Sequence, residues 1–263
     1  MKHGFSLVEL SIVLVILGLL TGGILAGQNL IRAAELRSVS TEASHYITAV
    51  QTFRDKYFAL PGDMPNATDF WGAADADPTT CGTTQGTGTE TCNGDGDGDI
   101  DVIFNSTTDS AELFRFWQQL ANAGLVEGSY TGLNGSVGND NDANIRENVP
   151  ASKLTNAGWA VRYNVGTGTG VAFAGPDGNH INFGADNGTD GNVQAAILTP
   201  EEAWNIDTKM DDGKPGIGKV NALQWDDCTN AATNGSANDD EVTADYLLSD
   251  PSTTCSLRFI SEF

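Results

Sequence analysis

The chain has 263 residues, with 13 lysines and arginines against 35 aspartates and glutamates, for a formal net charge of −22. Charge of that sign repels phosphate backbones and anionic lipid headgroups, so no direct nucleic-acid partner is expected, and the length suits one compact body with an extension. The acid is interspersed with 31 glycines and many Asn, Thr and Ser residues, a composition that suits solvated loops, cation binding or life in a salty medium alike.

The first element is apolar. Leu10 to Ile31 contains no charged side chain, and as a helix it would reach roughly 33 Å, enough to cross the hydrocarbon core of a bilayer. The short basic segment Met1-Lys2-His3-Gly4 places the N-terminus in the cytoplasm and the rest of the chain outside it. An ordinary secretory signal would end in a small-x-small cleavage site, and Leu25 spoils the pattern ending at Gly27. Glu9 lies just inside the apolar run. A carboxylate there costs about 2.5–3.5 kcal/mol near a bilayer centre and less near its edge, so it needs a partner or a task.

Gly4-Phe5-Ser6-Leu7-Val8-Glu9-Leu10 resembles the leader junction of type IV prepilins and type II secretion pseudopilins. The resemblance implies that a membrane-embedded prepilin peptidase cuts after Gly4 and methylates the new amino terminus at Phe5. It also implies that Glu9, fifth in the mature chain, neutralises the amino terminus of a neighbouring subunit, where carboxylate and ammonium compensate each other's desolvation. The family often carries a proline at the twenty-second mature residue; this chain has Ala26 there, among Gly18, Gly22, Gly23 and Gly27. Those glycines favour either local melting or close helix contact.

Beyond the apolar run, Leu36, Val39, Ala43, Tyr46, Val50, Phe53 and Tyr57 alternate spacings of three and four, the stripe of one helix face. The helix is expected from Phe5 to about Phe58, roughly 81 Å, ending at Ala59-Leu60-Pro61-Gly62 because proline lacks the N–H that a helix needs. With the resemblance, this gives an α+β ladle: a leader at 1–4, a transmembrane and filament-core helix at 5–32, and a periplasmic or extracellular head at 33–263. The head holds the second half of the stem and an antiparallel sheet with loop insertions.

In the head, Asp109-Ser110-Ala111-Glu112 opens a helix that should end near Gly124 and bury Leu113, Phe116, Trp117 and Leu120. Trp159–Val165, Gly170–Ala174 and His180–Phe183 read as short strands of an antiparallel meander, with His180 in a structural role. Thr199-Pro200-Glu201-Glu202 starts a second helix running to about Met210. Segments at Val220–Trp225 and Leu257–Ile260 complete the sheet. Four cysteines allow three connectivities; the local pairs Cys81–Cys92 and Cys228–Cys255 are preferred, because each closes a loop with little core of its own.

Asn93, Asp95, Asp97, Asp99 and Asp101 place oxygen-bearing side chains at every second position, with glycines between them. This is a calcium loop with an EF-hand-like start. It departs from an EF-hand at its twelfth position, Phe104, so Asp109, Glu112 or a distant carboxylate is needed to complete the ligand set. Asp211 and Asp212 read as helix-end solvation. No nucleophile-base arrangement, zinc-protease motif or P-loop is present in the sequence, and no enzyme is expected. The function implied is a structural subunit of a pilus or pseudopilus filament, drawn from an inner-membrane pool through an assembly platform and contacting other pilin or pseudopilin subunits. The alternative is a minor or tip subunit acting as an adhesin-like, calcium-dependent recognition module.

Overall fold

The computed structural model describes residues 7–78, 84–101, 112–133, 135, 143–164, 173, 178–188, 191–223, 227–231, 242–260 and 263. Its elements are α1 (Leu7–Tyr57), α2 (Thr68–Trp71), α3 (Glu112–Asn122), β1 (Ala157–Asn164), β2 (Gly178–Ala185), α4 (Pro200–Met210), β3 (Val220–Leu223) and β4 (Ser256–Ile260). The fold is α+β, as expected: a long N-terminal helix packed on a four-stranded antiparallel sheet.

Helix α1 runs unbroken through Ala26 and the four glycines around it, so no melting occurs there in the single chain. It changes character along its length. Fifteen large apolar side chains between Leu7 and Ile31 are each at least 50 % exposed, whereas Val39, Ala43, Tyr46, Val50 and Phe53 are buried. The predicted stripe is therefore the face that meets the head, with Leu36 and Tyr57 packed at its ends. Phe58 follows in the left-handed region at φ 57° and ends the helix before Pro61.

The sheet order is β1-β2-β4-β3. Residues alternate faces along a strand, and Trp159, Val161, Ile181, Phe183, Leu257 and Phe259 form the face in the apolar core. Tyr46 of α1 meets Trp159 edge-on at 5.4 Å between ring centroids, and Trp117 of α3 at 5.1 Å, geometries that suit aromatic quadrupoles. The strand expectation needs one correction. β1 pairs with β2 directly, from Ala157 opposite Ala185 to Asn164 opposite Gly178, so no middle strand separates them. The predicted Gly170–Ala174, apart from Phe173, lies outside the described residues.

Polar contacts fasten the stem to the head. The Glu42 carboxylate accepts hydrogen bonds from Ser152 Oγ (2.7 Å), the Lys153 backbone N–H (3.0 Å) and Trp159 Nε1 (2.9 Å). Helix α4 begins with the expected capping box between Thr199 and Glu202. Cys228 and Cys255 form a disulfide. Cys92 is also disulfide-bonded, and its predicted partner Cys81 lies outside the described residues.

Candidate metal centre

The loop at 93–101 is set in place by backbone bonds before any side chain acts. Asn93 N–H donates to Pro78 O at 2.8 Å and Gly94 N–H to Met64 O at 3.0 Å. Gly94 sits so close to the preceding turn that an added Cβ would lie 2.4 Å from Asp63 Cα, which explains the glycine sterically. Helix α3 anchors the other side: Gln119 accepts from Gly62 N–H (2.7 Å) and donates to Cys92 O (3.1 Å). At the loop's end, Asn179 of β2 accepts from Ile100 N–H (2.8 Å) and donates to Gly98 O (2.9 Å).

Two buried carboxylates then collect the loop's N–H groups. Asp63 accepts from Gly96 N–H (2.6 Å) and Gly98 N–H (3.0 Å), and Glu112, the first residue of α3, accepts from Asp95 N–H (3.1 Å) and Asp101 N–H (3.0 Å). Asp63 is 3 % exposed and Glu112 2 %, and among the described residues neither has a cationic partner. Burial pushes the Asp63 carboxyl up to about 6, against the pull of the Gly96 and Gly98 N–H bonds and helped by neighbouring Asp95 and Asp97. Burial likewise pushes Glu112 up to about 8, with Asp63 and Asp95 adding to the shift and the two N–H bonds opposing it.

Oxygens of Asp63, Asp95 and Glu112 lie within 4.8 Å of one another, as do those of Asp95, Asp97 and Asp101. Asp95 belongs to both groups and joins them into one centre that could hold a hard cation. Of the predicted residues, Asp95, Asp97 and Asp101 converge there. Asp99 belongs to neither group, and Asn93 turns its side-chain oxygen to Thr68 N–H at 2.9 Å, at the start of α2. Glu112 was a candidate completion by sequence, while Asp109 and Phe104 lie outside the described residues. Asp63 was missed. It stands 32 residues before Asp95 in a turn with no periodic signal, and only its two bonds to loop glycines reveal its role.

A second acidic group, Asp207, Asp211 and Asp212, gathers at the end of α4. Its oxygens receive local donors: Gly213 N–H (3.1 Å) and Tyr246 OH (2.9 Å) on Asp207, Lys219 N–H on Asp211, and Lys214 N–H (2.8 Å) on Asp212. These donors belong to the segment that follows α4 and to Tyr246, so the three carboxylates tie the end of the helix to the chain beyond it.

The stem is the other functional feature. Leu7–Tyr57 is long and apolar enough to cross a membrane, with none of its most apolar window buried. Glu9 lies on the first turn of this helix, while Gly4 and Phe5 lie outside the described residues. No curated protein and no solved structure matches the chain. Residues 1–25 match the family model of the prokaryotic N-terminal methylation motif, and through them the chain carries the signature of type IV prepilins and pseudopilins.

Proposed function

We propose that this chain is a structural subunit of a type IV pilus or type II secretion pseudopilus filament. The observation that carries the reading is the bare apolar half of α1, continuous with the methylation motif on one side and with a folded head on the other. Fifteen exposed apolar side chains need a lipid or protein environment, and one helix can exchange the first for the second when a subunit leaves the bilayer. In this reading prepilin peptidase cuts between Gly4 and Phe5, Phe5 is methylated, and an inner-membrane platform passes the subunit into a filament of like chains. Glu9 then meets the amino terminus of a neighbour. The role is structural rather than enzymatic.

Calcium is the cation that best suits the head loop. Asp63, Asp95, Asp97, Asp101 and Glu112 offer only oxygen ligands on a flexible glycine-rich chain, the donor set this ion takes. When bound, it would neutralise carboxylates that otherwise repel one another, and so fix the loop against α3 and β2. Mass spectrometry of the mature protein tests the main reading: it should begin at a methylated Phe5, and an intact leader or a start elsewhere would overturn it.

A further inference from the structure

Lysine and arginine number only 13 in this chain, and two of them share one groove. Arg37 of α1 and Lys209 near the end of α4 line a cleft of about 480 Å³ together with Ser40, Thr41, Ser44 and Met210. Both cations are exposed, and among the described residues neither forms an ion pair. Ser40 Oγ is buried without a hydrogen-bond partner. The other two hydroxyls donate to their own helix, Thr41 to Arg37 O at 3.3 Å and Ser44 to Ser40 O at 2.9 Å. What the groove has left to offer is positive charge and a hydroxyl donor, and no described carboxylate lines it.

The complement lies further along the stem. The 58 residues from Tyr57 to Phe114 hold eleven acids and no lysine or arginine. Ring contacts of Tyr57 with Phe70 (5.2 Å) and Trp71 (5.3 Å) fix the start of this segment on the end of α1, roughly 26 Å along the helix from Ser40. Asp69 lies there in α2, and the bridge between Ala73 and Thr91 brings Asp75 and Glu90 to the same region. Thr84 Oγ1 donates to Asp75 at 2.6 Å and Thr87 N–H to Glu90 at 2.6 Å, and these bonds hold both carboxyls below the ordinary carboxylate range. None of the three acids belongs to the metal centre, and none forms an ion pair among the described residues.

We propose that the groove docks the acidic edge of a second copy, Arg37 and Lys209 of one subunit meeting Asp69, Asp75 and Glu90 of the next. The inference rests on the filament role of the chain. The two surfaces differ and are offset along the stem, so the contact is heterologous, and copies that use both extend a fibre instead of closing a pair. Heads of net charge −22 repel one another unless the few free cations face the neighbour's acids. Exposed ion pairs are weak singly, but each subunit within a fibre makes this contact twice, once with each surface, and the repeats reinforce one another.

The test expresses full-length chains in cells that assemble the wild type into fibres and compares sheared fibres with subunit left in the membrane. Arg37→Glu with Lys209→Glu should lower the fibre yield roughly tenfold or more, while subunit with a methylated Phe5 accumulates in the membrane. Asp69→Lys with Asp75→Lys and Glu90→Lys should do the same. Co-expressing the two reversed chains should restore fibres, since each altered surface then meets its complement on the other chain. Arg37→Gln with Lys209→Gln keeps the test open if a reversed chain does not fold: its fibres should be fewer and should ignore salt, whereas wild-type fibres shed subunits as salt rises. Full fibre yield from the reversed groove, no rescue by co-expression of two folded chains, or equal salt responses in wild type and the glutamine variant would overturn the proposal. A wild-type chain that keeps its leader would overturn the filament reading, and this contact with it.

Discussion

Arg32 grips Glu202 at two points, Nε at 2.6 Å from Oε1 and Nη2 at 2.7 Å from Oε2, across 170 residues of sequence. Arg32 is the first charged residue after Glu9, and Glu202 is also the capping-box residue of α4, accepting from Thr199 N–H at 3.1 Å. One carboxylate thus caps a helix and marks where the bare stem ends and the head begins.

The pair is partly exposed, which limits its strength. A double-mutant cycle of Arg32→Met and Glu202→Gln, read by chemical denaturation in detergent, should give a coupling of about 0.5–1 kcal/mol. Additive effects of the two changes would mean that the contact contributes nothing.

Calcium affinity should depend on residues far apart in sequence. By titration calorimetry, Asp63→Asn and Glu112→Gln should each weaken binding by about tenfold or more. Asp99→Asn, whose carboxylate stands outside both groups, should have a smaller effect. If Asp99→Asn weakened binding as much as the other two, the ligand set would be wrong.

The pH dependence of stability should carry a contribution from Asp207. Burial pushes this carboxyl from 3.8 up to about 7, with the bonds from Tyr246 and Gly213 opposing the shift. An acid that keeps its proton to higher pH in the fold stabilises the fold at low pH and loses that contribution as pH rises. Between about pH 4 and pH 7 the wild type should therefore lose stability relative to Asp207→Asn. Parallel melting curves for the two proteins across that range would count against this assignment.

Opening the Cys228–Cys255 disulfide releases a loop of 27 residues, for which the chain-entropy model gives about 3.5 kcal/mol. Cys228→Ser with Cys255→Ser should lower the denaturation midpoint accordingly. β4 starts at Ser256, beside Cys255, so hydrogen exchange should speed up first in that strand; unchanged exchange there would show that its pairing does not depend on the bridge.

What the sequence made legible follows from the range of the forces involved. Period and punctuation are local, so the stem stripe from Val39 to Phe53, the α4 capping box and the pair of 228 with 255 could all be read directly. Spacing alone also located Asp95, Asp97 and Asp101. Convergence in space is not local: Asp63 reaches the loop only because Gln119 holds Gly62 and Met64 O holds Gly94. The same limit hid the basic groove. Arg37 and Lys209 are 172 positions apart in the chain, and only the packing of α4 on α1 places them in one cleft. The direct pairing of β1 with β2 was not legible either, because β-prone composition carries no information about which strands pair.

The uninterrupted course of α1 has a mechanical consequence. Its 51 residues make a rod of roughly 77 Å, and Arg32 and Glu42 fasten its outer half to the head. A stem that slides one helical turn past its neighbours must carry its head forward by the same distance, roughly 5 Å. In the proposed filament, register among the stems would therefore be copied onto the outer surface, and the spacing of the acidic loops along it would report how its core is stacked.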